Sequence, residues 1–209
     1  MAREKPWAEF HFLFANFLSP GQKVLDIGCG NGRFFNFVKG KASYFGIDSS
    51  IELIKIAKNK YPEATFQVAN GLALPFPDNY FDKVYCLAVF QHIPSQKLRE
   101  QFLKEAKRVL KPKGLLFLTV WNLWRWPNIG VLIKNTVLRV FKISKLDFKD
   151  FFLPATRRSF FKNFYYHAFT KKELKVLTEK IGFKTEKAGL IIMSAGKKPH
   201  SNFYLITRK

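Results

Sequence analysis

The run Val24-Leu25-Asp26-Ile27-Gly28-Cys29-Gly30-Asn31-Gly32 constrains this chain more than any other feature. Four residues, apolar but for one acid, end in three alternating glycines, which is how a buried parallel strand turns into a helix. Such a turn lets a ligand approach bare backbone and a helix N-terminus, and an acid about twenty residues later can hold a ribose diol. Asp48 follows Asp26 by 22 residues and closes the next apolar run, Tyr44 to Ile47. The spacing Gly28-x-Gly30-x-Gly32 differs from the G-x-G-x-x-G of a dinucleotide site. It disfavours a diphosphate and leaves a nucleoside open.

Short apolar runs then alternate with amphipathic ones. After Asp48-Ser49-Ser50, the residues Ile51, Leu53, Ile54 and Ala57 recur at helical spacing, and Thr65 to Val68 and Phe81 to Val89 read as strands. Ser95 can cap a helix carrying Leu98, Phe102, Ala106, Val109 and Leu110 on one face. Lys111-Pro112-Lys113-Gly114 stops that helix before a fifth strand, Leu115 to Val120. Past Trp121 the rhythm breaks, and it resumes at Thr170-Lys171-Lys172-Glu173, a capping box for a helix ending at Gly182. Phe183 to Met193 and Asn202 to Thr207 read as a closing antiparallel pair. The pattern predicts an α/β fold with a doubly wound, mostly parallel seven-stranded sheet and right-handed crossovers. A single domain over 1–209 is expected, with a basic insertion at about 121–162.

Thirty-six Lys plus Arg against fifteen Asp plus Glu give a net charge of +21, a field that favours polyanions. Residues 121–162 carry nine basic side chains against two acidic ones, Arg157 and Arg158 among them. Lysine outnumbers arginine by 27 to nine, so background composition competes with selection for an anionic partner. Cys29 and Cys86 form no C-x-x-C pair and have no histidine at zinc spacing. That argues against a metal or a disulfide framework and for a reducing, cytoplasmic setting. Met1 to Phe10 is charged and holds Pro6, and no run of eighteen apolar residues occurs, so neither a signal peptide nor a membrane span is expected.

Val24 to Gly32, Gly46-Ile47-Asp48, Asn70 to Asp82 (NGLALPFPDNYFD) and Leu110 to Gly114 (LKPKG) stand in one order and register. Together they resemble the class I S-adenosylmethionine-dependent methyltransferases, with their Rossmann-like fold. The resemblance implies S-adenosyl-L-methionine as cofactor, with its methionine end on Asp26, Gly28, Cys29, Gly30 and Gly32 and its ribose on Asp48. Ser49, Asn70, Gly71 and Leu87 complete the implied cofactor set. Asn70 stands where the family usually has Asp, which implies weaker binding.

Arg3-Glu4-Lys5-Pro6-Trp7, Ala88 to His92, Val120-Trp121-Asn122, Asp150 to Pro154 and Tyr165 to Thr170 extend the likeness over nearly the whole chain. They resemble the tRNA methyltransferases that esterify 5-carboxymethyluridine at the wobble position. Phe164 replaces a common Arg of that family and Gln91 a frequent His. The resemblance implies tRNA as partner, bound through the 121–162 insertion, and for some members a small zinc-binding activator subunit.

A carboxylate is already ionised at neutral pH and needs no general base to accept a methyl group. Such a site needs positioning, a clamp and an aromatic shelf for the base. His167, His92, Trp121 and Tyr166 are the candidates, each with a packing role as the competing explanation. Two other functions compete. One is a methyltransferase for a small molecule or lipid at a membrane surface, with Trp121, Trp124, Trp126 and nearby aliphatic residues as the apolar face. The other is a cofactor-binding subunit without catalysis.

Overall fold

In the sheet, strand order reverses between the first and fourth strands, and the glycine turn and Asp48 meet beside that reversal. A computed structural model describes residues 17–124, 148–154, 163–193 and 200–209, with positions 130, 133, 137 and 140 between them. Strands β1 (Lys23–Ile27), β2 (Ser43–Asp48), β3 (Thr65–Val68), β4 (Phe81–Leu87) and β5 (Leu110–Trp121) are parallel. After two further strands, β6 (Asp150–Pro154) and β7 (Asn163–His167), the chain adds β8 (Lys184–Met193) and β9 (His200–Arg208). The sheet order is β3-β2-β1-β4-β5-β9-β8, with β9 antiparallel to both neighbours. Open α/β sheets bind ligands at the carboxyl ends of the strands where order reverses, here between β1 and β4.

Both faces of the sheet are buried, so its strands read as continuous apolar runs. Leu116, Leu118 and Val120 of β5 enter one core with Phe81, Phe102 and Leu103, while Leu115 and Phe117 enter the other with Tyr85 and Phe34. The helices are α1 (Phe35–Val38), α2 (Ile51–Lys60), α3 (Gln96–Val109) and α4 (Lys171–Lys180). Ser50, Ser95 and Thr170 cap the last three by accepting the N–H of Leu53, Leu98 and Glu173. Gly182, at φ +85°, ends α4 in the left-handed conformation.

The structure departs from the sequence reading in three places. The segment Lys111 to Gly114 does not separate helix from strand, because β5 begins at Leu110 and the register with β4 shifts between Phe81 and Lys83. Lys113 turns the chain there at φ +65°. Strand β4 ends at Leu87, two residues before the expected Val89, since Ala88 adopts φ +59°. The stretch read as lacking regular structure contains β6, which pairs antiparallel with β7 as a separate ribbon. Most of 121–162, Arg157 and Arg158 included, lies outside the described residues, as do Arg3 to Trp7.

Candidate cofactor and acceptor site

The glycine turn after β1 is tied to the end of β2 by three backbone donors, and a fourth donor, from Ser50, holds the same Asp48 carboxylate. The carbonyl of Ile47 accepts the N–H groups of Gly28 and Cys29 at 2.8 and 2.9 Å. Asp48 Oδ2 accepts Gly30 N–H and Oδ1 accepts Ser50 N–H, both at 2.9 Å. Two of the glycines are required for different reasons. Gly28, at φ +77°, packs so closely that a Cβ would come within 2.3 Å of Val89 Cγ2. Gly30, at φ +56°, has nothing within 4 Å of such a Cβ, so its backbone faces open space that a ligand can fill.

Two cavities meet here. One of about 300 Å³ is lined by Asp26, Gly28, Cys29, Gly30, Arg33 and Leu87. Its neighbour, about 570 Å³, runs from Asp48, Ser49, Asn70 and Gly71 to His92, Phe164 and Tyr165. Gly28 and Leu53 line both. Asp26 is 2% exposed and accepts a 2.7 Å hydrogen bond from Tyr44 Oη. Burial pushes its carboxyl up to about 7, helped by the Asp48 charge and opposed by the Tyr44 bond and Arg33. Asn70 Oδ1 accepts Leu72 N–H at 2.9 Å, which shapes the turn beside the larger cavity. Cys29 lies against its own turn, and burial pushes its thiol well above the ordinary range.

This donor set fits S-adenosylmethionine. An acid beside the glycine turn suits an ammonium group, the carboxylate of Asp48 suits a ribose diol, and the Leu53, Asn70 and Gly71 wall suits a flat base.

Three of the four acceptor candidates come together in one aromatic group, of which His92 lines the larger cavity and Trp121 and Tyr166 line neither. His92 stacks obliquely 4.7 Å from the Tyr166 ring and lies 6.0 Å from that of Trp121, and Trp121 and Tyr166 stack at 5.6 Å. Nδ1 of His92 lies 3.1 Å from the Tyr165 carbonyl, which only accepts, so Nδ1 carries the proton. Burial also lowers the pKa of this ring, against a smaller opposing effect of the Tyr165 bond.

His167 stands apart. It is 2% exposed, lines neither cavity, and its ring nitrogens meet Asp150 Oδ1 at 2.5 Å and Glu173 Oε1 at 2.7 Å. Alternation along β7 sends Tyr166 toward Trp121 and sends Tyr165 and His167 to the other face. Of the residues that hold that second group, Asp150 and Glu173 stood in the sequence only as part of a resemblance motif and of a capping box, and Arg99 was not picked out. One signal existed: Arg99 falls on the buried face of α3 with Phe102, Leu103, Ala106 and Val109, where a cation requires a partner.

Residues 25–118 match the family model described as a methyltransferase domain. With this fold and this cavity, they form a methyltransferase domain of the S-adenosylmethionine-dependent class. Among similar proteins is the tRNA (carboxymethyluridine(34)-5-O)-methyltransferase of Arabidopsis thaliana, 34% identical over 108 residues, 52% of this chain. The chain spans about a quarter of that relative, 26% of its length. A Methanosarcina mazei structure described as a SAM-dependent methyltransferase superposes with TM-score 0.78 at 27% identity, covering 94% of this chain and 96% of that one. A Haloferax volcanii chain solved with the Trm112 methyltransferase activator shares the fold at TM-score 0.67 and 16% identity, covering 96% of this chain and 89% of that one.

Two outcomes are expected. Asp48→Ala should weaken S-adenosylmethionine binding by about 1.5 to 3 kcal/mol for each charge-assisted hydrogen bond removed. Titration calorimetry checks this, and unchanged affinity contradicts it. Because the ligand's ammonium favours ionised Asp26, affinity should also fall as pH drops below about 7. The Asp26→Asn variant should lack that acid limb.

Proposed function

We propose that this chain methylates the carboxylate of 5-carboxymethyluridine in the wobble position of tRNA, giving the methyl ester. The observation that carries this reading is the His92, Trp121 and Tyr166 aromatic group, joined to the larger cavity through His92, in a domain related to a wobble-uridine methyltransferase. Bound S-adenosylmethionine supplies an electrophilic sulfonium methyl. In this reading Asp26 and the Gly28 to Gly32 turn hold its amino-acid end, Asp48 holds the ribose, and Ser49, Asn70 and Gly71 flank the base. Leu87 closes the floor behind the turn. Trp121 and Tyr166 offer the uracil a stacking face, worth about 1 to 3 kcal/mol for a base. His92, neutral and protonated on Nδ1, offers Nε2 as an acceptor. None of these residues needs to remove a proton from the carboxylate, so catalysis rests on alignment.

The tRNA would be held by the basic residues of 121–162, Arg157 and Arg158 included, within one cytoplasmic methyltransferase domain. An activator subunit like that of the Haloferax volcanii complex is proposed as a second partner. A second reading draws on the wall of the larger cavity, where Val89, Ile93, Pro94, Phe102 and Phe164 are apolar and no Lys or Arg contributes among the described residues. Exposed Ile133, Val137 and Val140 add apolar surface elsewhere on the chain. Both features suit an uncharged, lipid-like acceptor at a membrane surface. Among the described residues no helix is long and apolar enough to cross a membrane.

Incubating the protein, with and without activator, with methyl-labelled cofactor and carboxymethylated tRNA should place label in tRNA in a form released by mild alkali. Alkali-stable label, or label only in added lipid, overturns the wobble-ester assignment. Reversing charge at Arg157 and Arg158 should flatten the salt dependence of tRNA binding by about 0.9 for each phosphate no longer neutralised, on a log–log plot of duplex affinity. An unchanged slope removes the insertion from the RNA interface.

A further inference from the structure

Beneath the β6–β7 ribbon lies a cluster of charges that lines neither cavity. Arg99 and Asp150 are each 3% exposed, and His167 is more deeply buried still. Arg99 Nε donates to the Ile93 carbonyl at 3.0 Å, and its Nη2 donates to Asp150 Oδ1 at 3.1 Å and to Tyr165 Oη at 2.5 Å. His167 bridges Asp150 and Glu173, and Lys149 Nζ donates to the other Glu173 oxygen at 2.7 Å. Burial raises both carboxyls, but the His167 bond and charge outweigh it together with Tyr165 and Arg99 at Asp150 and Lys149 at Glu173. Asp150 is left below the usual range and Glu173 at about 2. Both ring nitrogens of His167 thus face carboxylate oxygens.

Buried ion networks return little net stability once desolvation is counted, so what this one holds in place matters more. It grips two points of the acceptor wall. Ile93 follows His92 directly, and its carbonyl is held by Arg99. Tyr165 is held by its hydroxyl, and its carbonyl meets His92 Nδ1. Ile93 and Tyr165 both line the larger cavity.

We propose that Arg99, Asp150, His167 and Glu173 are positioning residues that fix β7 against residues 90–93, so that the Tyr165 carbonyl locks His92 in its Nδ1–H tautomer. Nε2, which lies 3.4 Å from the Gln91 amide nitrogen, is then kept as an acceptor, for that amide in the free protein and for an N–H donor of the methyl acceptor, such as the imide of a uracil base, when substrate is bound. This inference deepens the proposed function and rests on it for the identity of that donor. The tautomer itself does not depend on any substrate.

The test uses full-length protein with ¹⁵N-labelled histidine. The nitrogen shifts of His92 should report a single Nδ1–H tautomer in the unaltered protein and a mixture in Asp150→Asn and Glu173→Gln, with Arg99→Lys between. Glu173→Gln, at the half-buried end of the cluster, keeps the test open if Asp150→Asn does not fold. Cofactor affinity should stay within twofold in each folded variant, because none of the four residues lines the cofactor cavity. On carboxymethylated tRNA, kcat/KM should fall about 10- to 100-fold through misplacement of the acceptor. The same substitution in a His92→Ala background should cost less than twofold. An unchanged His92 tautomer, or full additivity with His92→Ala, overturns the positioning role. A shifted tautomer with no activity on any tRNA keeps the positioning role and rejects the wobble-uridine reading instead.

Discussion

The carboxylate of Asp48 is the constraint on which the site depends. Its two oxygens take the N–H groups of Gly30 and Ser50, joining the turn after β1 to the cap of α2. Hydrogen bonds to a charged group contribute about 1.5 to 3 kcal/mol each, enough to hold a glycine turn that has no side chains to pack. The parallel register that sets Ile27 beside Ile47 brings the two strand ends level, so the clip closes without distortion. With the turn fixed, a cleft opens between β1 and β4, the place where this topology leaves the sheet uncovered.

Charge is distributed unevenly around that cleft. The cofactor end holds Asp26 and Asp48, an acidic pair suited to a cationic ligand with a diol, and their mutual repulsion helps raise Asp26 to about 7. The acceptor end is aromatic and apolar, with His92 kept neutral. Apart from Arg33 in the smaller cavity, no Lys or Arg among the described residues lines either cavity, so the excess of 21 positive charges lies largely outside the cleft.

Most of the sheet is legible in the sequence because its signals are local. Apolar runs mark β1 to β5, Ser95 and Thr170 announce their helices, and the glycines with Asp48 mark the cleft. The β6–β7 ribbon escaped because its pairing is remote. Phe151 and Phe152 face opposite sides, and their partners Tyr166 and Tyr165 are reached only across the intervening segment, so neither strand shows an alternating pattern. His167 illustrates the same limit. Its sequence neighbourhood suggested an encounter with substrate, whereas Asp150 and Glu173 occupy both ring nitrogens and Arg99 completes the group from 51 residues before Asp150. Spacing along a chain registers a turn or a cap; it does not register charges that meet through the core.

A crystal structure with S-adenosylhomocysteine tests the central arrangement most directly. The ribose hydroxyls are expected within hydrogen-bonding distance of Asp48, with the amino group toward Asp26 and the sulfur facing the His92, Trp121 and Tyr166 group. A ribose held elsewhere, or a sulfur turned away from those three rings, would contradict both the cofactor site and the acceptor end built upon it.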